Sequence, residues 1–538
     1  MSISTTDGAH NYGTIYRSTP PSLSDSESEL PWPDSDTLGE PFQAKDGSEH
    51  HELSFLRTCA IIFSLSGVTF SASVSTGLLT VGLPVIARDL HLPEHLLLWP
   101  SSAYSLACAC CLLLAGSVAD KVGDRPVNLI GSATLAASVL ANGLARSGAQ
   151  LVALRALQGV GVSMCLPTGV SIVARSLRAG RGRNVGFSCL GVAQPLGFSL
   201  GLVVEGAVEA AGDWRLGYHV CAAVLAAFVV ANWLVLPPPD GRGAGAVAAD
   251  WESVGAGVDW VGIAVSSVGL GLVSYTCAVL TDDAKLLWRK GNMTAMLTGL
   301  ILLAAFPWWM RRQERLGRPA LVPNSIWRNR AFLSVSLTVL LAWASLQSSE
   351  LLISLFFQRV QLVTPMQTSL RLLPSIIVGF ILNPLTGLCV QYFTAYKLLA
   401  CVSLIAASSP LIMTLIDPGW SWWVAAFWAV ALGPVSVDVL FTMAHLVITD
   451  VFPTDMHALA GAVFNTTAQL GTSLGMSLVA IVSSSVTRSS GLPDKGSPAA
   501  LMGGYRAAFG TCFVLMFLSA ATSLGLRSLG RLGRPAER

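Results

Sequence analysis

The feature that most constrains this chain is a series of long apolar runs, each close to the roughly 20 residues an α-helix needs to cross a hydrocarbon core of about 30 Å. Fourteen such runs stand between charges, prolines and glycines, near 58–86, 97–117, 127–146, 149–173, 185–208, 217–236, 259–280, 293–310, 331–358, 367–391, 396–416, 420–448, 458–486 and 504–526. In lipid only a helix or a closed barrel satisfies every backbone N–H and C=O internally, and runs of this length read as helices. The expectation is an all-α integral membrane protein. Composition agrees: 52% of the 538 residues are hydrophobic and 12% charged, with a mean hydropathy of +0.60. A soluble enzyme is excluded. The 33 Lys and Arg against 31 Asp and Glu leave +2 overall, too little basic field to hold nucleic acid. All 11 cysteines fall in apolar stretches without Cys/His clustering, so neither a metal nor a cofactor is expected.

Residues 1–54 are rich in Ser, Pro, Asp and Glu and carry no apolar period, which reads as a disordered tail. They lack the basic start and early apolar run of a signal peptide, so the first run stays as an internal anchor. Lys and Arg concentrate on the side of the N-terminus, above all between Arg175 and Arg183 and between Arg311 and Arg330. Basic loops are retained in the cytoplasm, which puts both termini there. The second basic loop follows the two runs with the fewest polar marks, 259–280 and 293–310. A six, two, six arrangement results: a six-helix bundle over 55–236, a linker over 237–330 carrying two extra helices, a second bundle over 331–526 and a basic cytoplasmic tail over 527–538. A weak repeat supports duplicated halves, since Gly116-x3-Asp120-Lys121-x-Gly123 follows the second run and Gly387-x3-Gln391-x2-Thr394 the tenth. Many secondary transporters are built from such halves with a site between them.

Few residues within the runs bear chemistry. The Gly116, Asp120, Lys121, Gly123 and Arg125 series reads as a short cytoplasmic turn whose charges bridge to neighbouring helix ends and latch one conformation. Arg155 lies about six residues, roughly 9 Å, into the fourth run. A guanidinium there costs about 2.5 to 3.5 kcal/mol on insertion scales, so it should face a cavity or a partner, with Gln158 one turn on sharing its face. Gly159 and Gly161 follow. In the fifth run Pro195 bends the axis, Gly197 and Gly201 form a GxxxG for close helix approach, and Glu205 continues the stripe. Glu350 and Asp438 are deep carboxylates, each a candidate proton carrier or cation binder, and His445 is a further ionisable group. Asn292-Met293-Thr294 is a glycosylation sequon on the outer side.

Taken together, these residues make the chain resemble the major facilitator superfamily, and within it the 14-helix drug:proton antiporter group of fungi. The Gly116 to Arg125 series resembles the loop signature between helices two and three, and Arg155/Gln158/Gly159/Gly161 is similar to the helix-four pattern RxxQGxG. Pro195/Gly197/Gly201 followed by Asp213-Trp214-Arg215 resembles the antiporter signature of helix five and its trailing WR, and Thr80-Val81-Gly82-Leu83-Pro84 the end of the first-helix motif. The resemblance spans roughly 55–530 and implies the major facilitator fold, with proton-driven export of small amphipathic compounds. Two positions depart from it. Ser75 stands where the group has an acid, and the helix-five signature has lost a glycine, so coupling passes to Glu350, Asp438 or Glu205, with Arg155 coupling and Asp120 and Arg125 latching.

The expected protein is a monomeric secondary transporter whose partners are a small-molecule substrate, protons and the lipid bilayer. The plasma membrane is its expected location, the vacuolar membrane the alternative. An uptake symporter and a receptor or scaffold that moves nothing stay open. No GxxxxGK[ST] or HExxH occurs, so neither a nucleotide-driven pump nor an enzyme is expected.

Overall fold

The computed structural model describes residues 55–528 except 94–95, 177–180, 211, 238–257, 281–283, 319–320, 323, 390–391 and 452–456. The expected tail at 1–54, all but the first two residues of the expected tail at 527–538, most of the linker before 258, and Gln391 of the repeat therefore lie outside the described residues, as do the side chains of Asp120 and His445. The first bundle comprises α1 (Phe55–Asp89), α2 (Trp99–Val122), α3 (Asp124–Gly143), α4 (Gly148–Ser176), α5 (Arg181–Ala210) and α6 (Trp214–Val235). The extra pair is α7 (Trp260–Leu280) and α8 (Lys290–Arg315). The second bundle comprises α9 (Arg330–Leu355), α10 (Pro365–Cys389), α11 (Ala395–Leu415), α12 (Ala426–Leu432), α13 (Val435–Val451), α14 (His457–Ser489) and α15 (Pro498–Thr522). This is the expected all-α membrane fold of two six-helix bundles plus two helices, with 13 of the described spans long and apolar enough to cross a bilayer. The run that falls short is α3, which buries Asn128, Ser132, Ser138 and Asn142 along its face.

Two expectations need correction. The twelfth run is not continuous: Gly433-Pro434 separates α12 from α13, because proline lacks the N–H of the helical ladder and crowds the preceding turn. The expected turn around Gly116 is confined to Gly123, whose φ of 102° suits a residue without Cβ. Gly116, Asp120 and Lys121 are still in α2, and a methyl at Gly116 would meet nothing within 4 Å.

Helix packing repeats between the halves. In the first bundle α1 packs on α5 and α6, and α3 on α4 and α6; in the second α9 packs on α14 and α15, and α11 on α12, α13 and α15. Across the seam α2 lies on α14, and α5 on α10. The extra helix α7 rests on both α2 and α14, where Ser267 Oγ donates to the Cys110 carbonyl at 2.9 Å. It is tied to α8 by Asp259, which accepts from Trp309 Nε1 at 2.9 Å and Gln313 Nε2 at 3.3 Å.

Lipid tails give helices no hydrophobic reason to associate, so close backbone contact must hold them together. A methyl at Gly197 would overlap the Phe70 carbonyl, and one at Gly201 the Val74 carbonyl. The second bundle repeats this device: a methyl at Gly471 would overlap the Leu340 carbonyl, and one at Gly475 would fall 2.6 Å from Ala344. Gly471 and Gly475 have GxxxG spacing, a signal the sequence reading passed over.

Hydrogen bonds join the halves at the end where α1 finishes, called here the distal face. Ser354 Oγ and Gln358 Nε2 donate to the Thr80 and Val81 carbonyls, both at 2.8 Å, and Ser369 Oγ to the Leu202 carbonyl at 2.5 Å. Gln358 sits in a π-helical turn, Phe356–Val360, that ends α9. Wider turns of this kind re-aim side chains.

Alanine is the better helix former by about 0.5 to 1 kcal/mol, so glycine-to-alanine changes separate propensity from packing. Gly169 has nothing within 4 Å of its absent Cβ, and Gly169→Ala is expected to hold or raise the melting temperature in detergent. Gly201→Ala and Gly475→Ala are expected to lower it, by an overpacking cost of roughly 1 to 3 kcal/mol each.

Candidate functional site

A cavity of about 190 Å3 lies between the bundles. Its first-bundle wall is built by Ser73, Thr76 and Thr80 of α1, Ser101, Tyr104 and Ser105 of α2, Arg155 of α4, and Gln194 and Phe198 of α5. The second-bundle wall includes Trp343, Gln347 and Glu350 of α9, Ser375 of α10, Asp438 and Phe441 of α13, and Gln469 and Thr472 of α14. Along each helix these residues recur every three or four positions, which is one helical face. That polar stripe was the available signal for Tyr104, Gln194, Gln347 and Gln469, which sequence reasoning missed.

Arg155 is fully buried. Its Nη1 donates to Gln158 Oε1 at 2.9 Å, its Nε to the Pro100 carbonyl at 3.4 Å, and its guanidinium carbon lies 4.6 Å from the centre of the Tyr104 ring. A ring face attracts a cation most strongly where water is excluded. No carboxylate pairs with Arg155 among the described residues, and Nη2 has no hydrogen-bond partner. Gln158 Oε1 is a shared acceptor, taking Asn142 Nδ2 at 2.9 Å and Ser75 Oγ at 3.5 Å in addition to Arg155. Thus Ser75 lies within the Arg155 network as a neutral donor.

Two glycines aim this network. Gly159 and Gly161 are about 200° apart around α4, so they serve opposite neighbours. A methyl at Gly159 would overlap the Tyr104 carbonyl of α2, and one at Gly161 would lie 2.8 Å from the Leu135 nitrogen of α3. The Gly159 contact brings Tyr104 over Arg155.

On the facing wall, Glu350 and Asp438 both reach the cavity. The Gly433-Pro434 break puts Asp438 in the first turn of α13, where the helix dipole favours negative charge. Glu205 is placed elsewhere. With Gly197 and Gly201 it forms the stripe of α5 that faces α1, and it is buried inside the first bundle, away from the cavity lining. Of the aromatic residues, Trp343 lines the cavity, Phe356 and Phe357 are core, and Trp428 is exposed.

Around the turn at Gly123, Arg125 Nη2 donates to the Trp233 carbonyl at 2.9 Å, near the C-terminus of α6, and Asp124 accepts from Ser171 Oγ of α4 at 2.7 Å. Lys121 is exposed in the last turn of α2. At the distal face Arg215 pairs with Asp89 at 2.7 Å, lies over the Trp214 ring and donates to the Ala145 carbonyl at 3.3 Å. That binds α1, α6 and the end of α3 together. Asn292, in the first turn of α8, donates to the Leu286 carbonyl at 2.8 Å.

Comparison with known proteins gives the following. The profile described as Major Facilitator Superfamily matches residues 65–476. The chain is 38% identical to "MFS-type transporter 1" of Pyricularia oryzae over 90% of this chain and 86% of that protein. It is 27% identical to the cephamycin export protein CmcT of Amycolatopsis lactamdurans over 87% and 92% of the two. The crystal structure of a bacterial homologue of the human lysosomal transporter Spinster, inward-facing and unoccupied, shares the fold with a TM-score of 0.60 at 14% identity, covering 90% of this chain and all of that one.

Removing a shared acceptor strands every donor on it. Gln158→Leu leaves Arg155, Asn142 and Ser75 without their common partner, and a lost partner costs about 1 to 3 kcal/mol per buried group. A clear drop in detergent melting temperature is expected, larger than that of Gln194→Leu at the cavity wall. An equal effect of the two would show that the network contributes no stability.

Proposed function

Because this chain belongs to the Major Facilitator Superfamily and is thereby a multi-pass membrane transporter and not an enzyme, we propose that it exports small amphipathic compounds in exchange for protons. The observation that carries this reading is the cavity, which sets the Arg155 guanidinium on one wall and two carboxyl groups, Glu350 and Asp438, on the other. A relative named for cephamycin export supports the direction.

In this reading 55–236 and 331–526 rock against each other about the cavity, and the contacts of Ser354, Gln358 and Ser369 across the distal face break and re-form. Both termini are cytoplasmic and the distal face is outward, so the conformation described is the one closed to the outside. A monomer in the plasma membrane suffices. Glu350 and Asp438 take a proton when substrate leaves and give it up on the cytoplasmic side. Arg155, with Gln158 holding it, supplies the fixed positive charge that sets which of the two is loaded. The turn at Gly123, with Arg125 on the Trp233 carbonyl and Asp124 on Ser171, latches the cytoplasmic end by clamping helix termini.

The test is transport of a panel of amphipathic dyes, ethidium and rhodamine 6G among them, into inside-out vesicles under an imposed proton gradient. Gradient-driven uptake is expected, and Arg155→Ala is expected to abolish it while leaving the amount of folded protein in the membrane unchanged. Glu350→Gln is expected to retain dye binding but lose at least about tenfold in the gradient-driven rate, the scale on which a missing proton carrier acts. Uptake that ignores the gradient in the wild type would overturn proton coupling. Full transport by Arg155→Ala would remove that residue from the mechanism.

A further inference from the structure

The first bundle holds a set of buried polar atoms that extends inward from Arg155 at the cavity wall. Glu205 is fully buried there. On the α1 side a methyl at Gly82 would overlap Glu205 Oε1, and on the α6 side one at Gly217 would lie 3.3 Å from Oε2. These glycines make the room the carboxyl group occupies. Neither oxygen has a hydrogen-bond partner, and the same holds for the hydroxyl of Tyr218, Nη2 of Arg155, Nε2 of Gln158 and Oδ1 of Asn142. Tyr218 follows Gly217 on α6, the glycine whose absent Cβ faces Glu205. Gln158 accepts from both Arg155 and Asn142. The unpartnered atoms thus come from α3, α4, α5 and α6, around an interior walled by α1.

An isolated buried polar atom is expensive, and a cluster of them is the setting in which ordered water binds, each molecule needing two to four polar partners. We propose that Glu205 is a proton-storage site of the first bundle, reached from the Arg155 end of the cavity through buried water that bridges Tyr218, Gln158 and Arg155. This rests on the proton-coupled reading above and adds to it a group that never touches substrate. The step is a simple transfer: the proton leaves a Glu205 oxygen for the adjoining water, a carboxylate remains, and the reverse transfer restores the acid. A carboxylate at Glu205 places a negative charge in the same bundle as Arg155, and protonation removes it. The groups facing Glu205 are Tyr218 on α6 and Glu209 one turn along α5. The facing segment of α1 presents Gly82.

Infrared titration of the purified full-length protein in detergent tests this without any transported compound. The wild type is expected to show a protonated-carboxyl stretch that disappears and returns with pH and is missing from Glu205→Gln, and Tyr218→Phe is expected to shift its midpoint. A wild-type spectrum identical to that of Glu205→Gln at every pH, or a difference band that never titrates, would overturn the proposal. Should Glu205→Gln not fold, an unmoved midpoint in Tyr218→Phe would overturn it equally. In proteoliposomes with rhodamine 6G as probe, Glu205→Gln is expected to lose at least about tenfold in proton-driven accumulation and to keep dye-for-dye exchange. A wild type that moves no dye counts against the export reading alone, because the infrared result is independent of it.

Discussion

Inside a bilayer a polar atom must find its partner within the protein, and this one constraint orders most of the structure. It makes every long apolar run a helix and turns each helix's polar stripe inward. Its strongest expression is Arg155, a guanidinium held without a carboxylate by a ring face, a carbonyl and one shared amide oxygen. A neutral cradle of this kind leaves the charge unspent. A paired Arg155 would have its field cancelled locally, whereas this one is felt on the cavity that it lines.

The cradle in turn depends on backbone contact. Gly159 lets the Tyr104 carbonyl in, and Gly197 with Gly201 does the same for Phe70 and Val74. The second bundle reaches an equivalent contact with Gly471 and Gly475 against Leu340 and Ala344. Recurrence of the device explains how the halves share a packing pattern while their sequences have diverged: what must be kept is a missing Cβ at two positions one turn apart. It also gives each bundle rigidity of its own. The cross-seam hydrogen bonds come from single side chains to buried carbonyls, contacts that exchange more easily than interlocked backbones.

The extra helices follow the same rule. Asp259 is buried beside α7 and α8 with Trp309, Gln313 and the Gly262 N–H donating to it. Through Ser267, α7 attaches to α2 at the seam where α2 meets α14, so α7 sits against both bundles without lining the cavity.

How much of this was legible follows from what periodicity carries. Sequence alone determined the fourteen apolar runs, the inward face shared by Arg155 and Gln158, and the stripe of Gly197, Gly201 and Glu205, because each depends only on spacing along one helix. It did not reveal that this stripe faces α1, which takes Glu205 out of the cavity. Nor did it reveal that Tyr104 covers Arg155, or that the Gly433-Pro434 break places Asp438 in a helix's first turn. The reason is physical. Helical spacing fixes which side chains share a face, but the neighbour that fills that face is chosen by packing among segments tens or hundreds of residues apart, and only the tertiary structure decides it.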